Sequence, residues 1–293
     1  MDLRNCSFAS TTVIGPISQR LTYRALLCTT ALSSLLFYGV GQAHSNDLCQ
    51  QQGTIQTCEG DQSDGVSASS GSTRLIIQNL SGDITPTGSE PGVAIYDYQR
   101  SVTVETDLGP FAIRSSGAGI DAGRYNGSVT IDHEGDIFTS GDSFAPGIRA
   151  SSAGYNFNRV TIETHSGAIE TSGENSAGIQ SSGGYNVLTN ITSGSTIRTT
   201  GDGSAGITAF GGNSTFIAIT GDIETRGENA VAARASSNYE AASVTNSATI
   251  RTEGLGSSGL VASGYNSASI RSSGDVTTLG DNSSALIASS YRY

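Results

Sequence analysis

The chain has 293 residues, a formal charge of −11, and Arg at every one of its 15 basic positions. Without lysine it cannot form a P-loop phosphate site, a pyridoxal Schiff base or a kinase ATP anchor. Its acidity and scattered arginines also argue against nucleic acid, because a phosphate backbone calls for a concentrated basic face.

The amino terminus reads as an export signal. Arg20 and Arg24 precede the apolar run Ala25 to Val40, which is followed by Gly41-Gln42-Ala43. A positive flank, a short apolar core and small residues before the cut define a signal over 1–43, cleaved after Ala43. The rival reading is a membrane anchor. The run falls short of the ~20 residues a spanning helix needs, and it contains Thr29, Thr30, Ser33 and Ser34. Export into an oxidising compartment makes Cys49 and Cys58 a disulfide that staples the first turn. A metal pair is the alternative, but no histidine or further cysteine stands nearby to complete it.

From residue 44 to 293 one unit recurs, and internal repetition decides the fold. Gly135-Asp136-Ile137, Gly167-Ala168-Ile169, Gly221-Asp222-Ile223 and Gly274-Asp275-Val276 each lead to Thr two places on, then Gly and a small-residue turn. The anchors run Ile55, Ile84, Ile113, Ile137, Ile169, Ile197, Ile223, Ile250 and Val276, spaced 24 to 32 residues apart. Units of this length cannot bury a face alone, and no helical period appears beyond the signal. The sequence therefore predicts an all-β, right-handed parallel β-helix (solenoid) of about nine coils.

Columns along the solenoid follow from this register. Two places after the anchors stand Thr139, Thr171, Thr199, Thr225, Thr252 and Thr278. With a side-chain period of two they face inward, and they are expected to stack and share hydroxyl hydrogen bonds between coils. One place after the anchors, facing outward, stand Glu170, Arg198, Glu224 and Arg251, whose alternating signs penalise a slip of one coil.

Several motifs carry chemistry on their face. Gly141-Asp142-Ser143 looks like a serine-nucleophile block, and Gly254, Gly256 and Gly259 match a dinucleotide fingerprint. Both fall on the repeated turn, without the helix the fingerprint requires. His133 and His165 each sit four residues before an anchor and could stack as neighbours. They read as a solvated pair, or as part of a metal or acid–base site with Asp132 and Glu134. The turn glycine is followed by Asp142, Glu174, Asp202 and Glu228 on successive coils. This column reads as a solvated acidic edge; the alternative is a Ca²⁺ site, although 6–8 oxygen ligands are not obviously supplied. Tyr125-Asn126, Tyr155-Asn156, Tyr185-Asn186 and Tyr265-Asn266 share another turn, with Asn213 and Asn238-Tyr239 in the intervening copies. Their rings could stack on sugars or anchor a protein partner; the plainer account is a turn that needs a left-handed Asn beside a packed ring. No cofactor and no catalytic residue is expected.

The Cys58-Glu59-Gly60-Asp61-Gln62-Ser63-Asp64-Gly65 start and the Gly-Asp-Ile-x-Thr and Ser-Ala-Gly-Ile units carry a resemblance across 44–293. There the chain resembles passenger domains of bacterial autotransporters, the type V secretion proteins. The long stretch before the signal core is similar to their extended signals. The resemblance implies an exported cell-surface or outer-membrane protein displayed by an outer-membrane translocator. For activity it is weakly specific, since such passengers include adhesins, aggregation factors, proteases and esterases. With the Ser and Thr candidates on repeated turns and no constellation around the histidines, the expected role is non-catalytic adhesion to host matrix protein or glycan, or self-association. A structural stalk of a truncated autotransporter is the alternative, and a polysaccharide-active β-helix enzyme a further one. The repeats run on to Tyr293 where the family has a β-barrel, a departure that leaves open a split gene product, a secreted passenger or a periplasmic location. The edge after the last coil is expected to promote end-to-end association.

Overall fold

The computed structural model describes residues 48–154 and 157–292. The expected signal over 1–43, its cleavage point and Tyr155 lie outside the described residues. Short segments rich in Val, Ile and Thr, parted by Gly, Ser and Asn, satisfy their backbone only by pairing sideways. They do so with their equivalents one repeat away, and the strands wind into a β-solenoid of about 8 turns. No helix occurs among the described residues.

One coil shows the plan. Leu188–Ser193 lies on a first face, Thr196–Thr199 on a second and Ile207–Gly211 on a third. Each pairs in parallel with its counterpart in the coils on either side. Alternate residues point inward, so Ile191, Ile197 and Ile207 from the three faces meet in one core and are fully buried. On the third face the inward isoleucines Ile148, Ile179 and Ile207 are followed two places on by Ala150, Ser181 and Ala209. Alternating large and small side chains fill the narrow interior at native density.

The anchor register holds from Ile84 through Ile113, Ile137, Ile169, Ile197, Ile223 and Ile250 to Val276, every one aligned with the next. Ile55 does not belong to it. That residue sits on the first face, beside Arg74, so the expected coil count of nine becomes about 8. Strand β1 (Leu48–Gln52) instead folds back on β2 (Ile55–Gly60) as an antiparallel hairpin, with Cys49 opposite Cys58 in a disulfide. This is the one antiparallel pairing among the described strands, and it covers the open first-face edge of β2, a place where unpaired backbone would otherwise invite another chain.

The threonine column is buried and in register, with Thr171 beside Thr199 and Thr199 beside Thr225. Its hydroxyls do not bridge coils, contrary to the expectation. Each donates to a main-chain carbonyl of its own coil: Thr171 to Ser176 O at 2.5 Å, Thr199 to Ser204 O at 2.6 Å, Thr225 to Ala230 O at 2.8 Å and Thr252 to Ser257 O at 2.7 Å. The strand ends there, and the carbonyl at the corner has no ladder partner, so the nearest hydroxyl takes it. Serines at the corner make the bridges between coils. Ser204 Oγ accepts from the Ser176 N–H at 2.9 Å and donates to Gly173 O at 2.7 Å. Ser257 does the same for Ala230 N–H and Gly227 O.

Replacing Thr199 by Val keeps the shape and strands the buried Ser204 carbonyl. We expect a loss of about 1–3 kcal/mol, read as a lower urea midpoint; an unchanged midpoint would contradict the corner bond.

Candidate functional site

Two turns of the coil carry the residues singled out by their chemistry. The first follows the threonine column. There Gly141, Gly173, Gly201, Gly227, Gly254 and Gly280 stack so closely that a Cβ on any of them would collide with a main-chain carbonyl of the preceding coil. The residue after each is thereby pushed outward, and Asp142, Glu174, Asp202 and Glu228 are all exposed. Asp202 uses its carboxylate to accept from the Glu228 N–H at 2.8 Å, a bond to the next coil. No group of three His, Cys, Asp or Glu among the described residues is arranged to hold a metal ion. The next position is left-handed, with φ between 52° and 68° at Asn175, Gly203, Asn229, Gly256 and Asn282. Asn and Gly alternate because each Asn side chain lies over the Gly of the following coil, where a Cβ would strike its Oδ1. The apparent serine block and dinucleotide fingerprint are copies of this turn.

The second turn leads from the third face back to the first and presents an aromatic edge. Tyr125, Tyr185 and Tyr265 are exposed there, as expected. Tyr239 of the intervening copy is exposed as well, and the structure adds Tyr98 and Tyr291. Tyr98 and Tyr125 stack with ring planes 1° apart and centroids 5.1 Å apart. Tyr185 and Tyr239 meet at 4.3 Å, tilted by 49°, across the coil of Asn213. The plainer account of this column needed left-handed asparagines. Asn126 and Asn266 do not have positive φ; the left-handed asparagines of the coil corners lie on the other turn. Asn266 instead donates to Glu240 at 2.5 Å and accepts from Arg292 at 3.1 Å, tying neighbouring coils together. Tyr98 escaped the sequence reading because Gln99, not Asn, follows it.

The outward column of the second face is a charged network. Arg198 bridges Glu170 at 3.3 Å and Glu224 at 2.9 Å. Arg251 turns to Glu253 at 2.7 Å, while Arg226 takes Glu224 at 2.7 Å and Glu253 at 3.6 Å. One coil lower Phe138 interrupts the charges, and the Arg114 guanidinium lies 4.3 Å from its ring centroid. Arg114, Phe138, Glu170 and Arg198 line a recess of about 460 Å³ on this face.

The two histidines do not stack. His133 ends up beside Thr164, pointing inward and fully buried, whereas His165 is exposed and pairs with Asp132 at 2.6 Å. Thr164, which pairs with His133, stands five places before its anchor Ile169, whereas His133 stands four before Ile137, so equal distance from the anchor does not give equal facing. Thr106 Oγ1 lies 2.6 Å from His133 Nδ1, and Nε2 lies 3.1 Å from Gly135 O. A neutral ring satisfies both: Nδ1 accepts from the threonine hydroxyl and Nε2–H donates to the carbonyl. Burial disfavours the imidazolium and pushes the His133 pKa from 6.5 down to about 4.

No protein-family model, curated protein or solved structure matches the chain.

The histidine makes stability depend on pH. The unfolded chain binds a proton near pH 6.5 and the folded chain only near pH 4, so the contribution is full above pH 7 and is lost as the pH falls through 6.5 toward 4. Between pH 7 and pH 5 the loss is about 2 kcal/mol. His133→Thr, which continues the Thr106 and Thr164 column, should remove most of that dependence in melting curves. An equal pH slope in both proteins would refute the assignment.

Proposed function

We propose that this chain is an exported, cell-surface repeat protein that works by non-catalytic adhesion or self-association, in the manner of an autotransporter passenger displayed by an outer-membrane translocator. The single observation that supports this reading is the aromatic edge. Tyr98, Tyr125, Tyr185, Tyr239, Tyr265 and Tyr291 are exposed along one corner of the solenoid. Exposed rings gathered on one line are costly in water and mark a contact surface. A rigid stack offers them at fixed intervals, so weak individual contacts with a partner add through effective concentration. The partner class is a host matrix protein, a surface glycan or a second copy of the chain. The acidic balance and the pairing of arginines with carboxylates weigh against nucleic acid.

The test is adhesion of the purified chain to immobilised matrix proteins and intact cell surfaces, with sedimentation to follow self-association. Replacing Tyr98, Tyr125 and Tyr265 together by Ala should weaken retention about tenfold or more, because avidity falls steeply when several weak contacts are lost. A chain that adheres to nothing and stays monomeric at high concentration would refute this function.

A further inference from the structure

The repeat supplies its own control: where one coil departs from what its neighbours do, the departure has a local cause. Two such departures meet on the third face. At the left-handed corner position the later coils carry Asn175, Gly203, Asn229, Gly256 and Asn282, but the coil of Ile137, whose corner has one extra residue after Gly141, carries Phe144, at φ 56° and 65% exposed. A bulky residue in that conformation is strained, and strain kept at an exposed position points to a use for the side chain. Hydrogen bonding confirms the equivalence, since the Phe144 N–H donates to Glu174 O one coil on, as Asn175 N–H does to Asp202 O.

The second departure is Tyr96. Its outward column continues with Gly123, Ser151 and Ser182, all small, before reaching a second aromatic residue at Phe210. Tyr96 leans over Gly123, so closely that a Cβ there would come within 2.7 Å of ring Cδ1 and 2.9 Å of Cε1. One ring face rests on the sheet, and the residue remains 62% exposed.

Polar groups lie between the two rings. Partial burial and the nearby Asp121 carboxylate push the Tyr96 phenol above its ordinary range. Asp121 Oδ2 pairs with Arg149 Nη1 at 3.3 Å, and Arg149 Nη2 donates to the Phe144 carbonyl at 2.8 Å. Asp121 and Arg149 are adjacent in register on neighbouring coils. Two exposed aromatic residues therefore flank a half-buried acceptor–donor pair whose charges cancel, beside a floor of Gly and Ser.

We infer that Tyr96, Asp121, Arg149 and Phe144 form a binding site for a neutral oligosaccharide. A pyranose ring has an apolar C–H face that stacks on an aromatic ring, and hydroxyls around its rim that both donate and accept. An Asp–Arg pair offers both complements in one place. Gly123, Ser151 and Ser182 leave a low surface over three coils, ending at Phe210, for further sugars. Because the site's charges cancel and the chain carries −11 overall, an acidic polysaccharide is disfavoured. A peptide would be expected to use the open backbone of a sheet edge, whereas Tyr96, Asp121 and Arg149 lie on the flat of a sheet and Phe144 at the corner that leads into it. The inference rests on the adhesive reading above and names its partner class.

The chain has 11 Tyr and no Trp, so tyrosine fluorescence reports occupancy directly. The full chain is titrated with cellohexaose, chitohexaose and mannohexaose, and with hexagalacturonate and a proline-rich decapeptide as competing classes. At least one neutral hexasaccharide should bind. Tyr96→Ala should weaken it about tenfold, the size of one lost aromatic contact. Gly123→Ala, which retains every binding side chain and only lifts the Tyr96 ring, should weaken it as well. Phe144→Asn restores the residue the repeat uses elsewhere, and it should raise the melting temperature while weakening binding. Binding by none of the neutral sugars, a preference for the acidic sugar or the peptide, or binding unchanged in Gly123→Ala and Phe144→Asn would each overturn the site. The adhesion assay uses no soluble sugar. A chain that adheres to cells yet ignores the hexasaccharides would overturn this site alone, and one that binds sugar without adhering would overturn only the adhesive function.

Discussion

Successive coils rest on one another backbone to backbone, and the rest of the molecule depends on that contact. Parallel strands repeat at about 4.8 Å, which the corners must match even though they have no strand ladder to enforce it. At the corner after the threonine column they match it by having no side chain. Gly141, Gly173, Gly201, Gly227, Gly254 and Gly280 place their Cα hydrogens where any Cβ would strike a carbonyl below. The threonine hydroxyls then close each corner within its own coil, and Ser176, Ser204 and Ser257 tie it to the next. The Ser-Ala-Gly-Ile unit has a similar explanation. Its serine bridges coils, and its glycine leaves room for the anchor isoleucine of the following coil, as Gly178 does for Ile197 and Gly206 for Ile223.

Once the stacking interval is fixed, every outward position becomes a column, and columns are legible in sequence when they repeat by type. The anchors from Ile84 to Val276 and the buried threonines could be read directly, because periodic Ile and Thr have one inward facing available. The Cys49–Cys58 disulfide, expected from the signal-like start and the cysteine spacing, is formed. What could not be read is where the chain leaves the period. Ile55 looks like an anchor, but it belongs to the hairpin that starts the stack. Which acceptor a buried hydroxyl finds depends on corner geometry that composition does not carry. His133 and His165 stand at equal distances from their anchors, yet one extra residue of path turns one inward and the other outward.

The candidate binding residues divide the same way. Tyr125, Tyr185 and Tyr265 were visible because each precedes Asn, and the motif repeats. Tyr96 and Phe144 were invisible because they differ from the coils beside them; only the columns reveal that small residues, Phe210 apart, or left-handed-tolerant residues are the rule there. In a repeat fold the regular positions are explained by packing, and irregular ones at the surface are where a partner can be recognised. The regular tyrosine edge provides many equivalent contacts, and the irregular third-face cluster provides one distinct contact.

The claim that stacking is carried by close backbone approach at the corner glycines is tested most directly by one substitution at two places. Gly201→Ala puts a methyl against the Gly173 carbonyl, whereas Gly82→Ala meets nothing within 4 Å and needs no left-handed backbone. Measured by urea unfolding, the first should cost at least about 2 kcal/mol through overpacking. The second should change stability by no more than about 0.5 kcal/mol, or improve it by stiffening the unfolded chain. Equal effects at the two sites, or a harmless Gly201→Ala, would contradict the account.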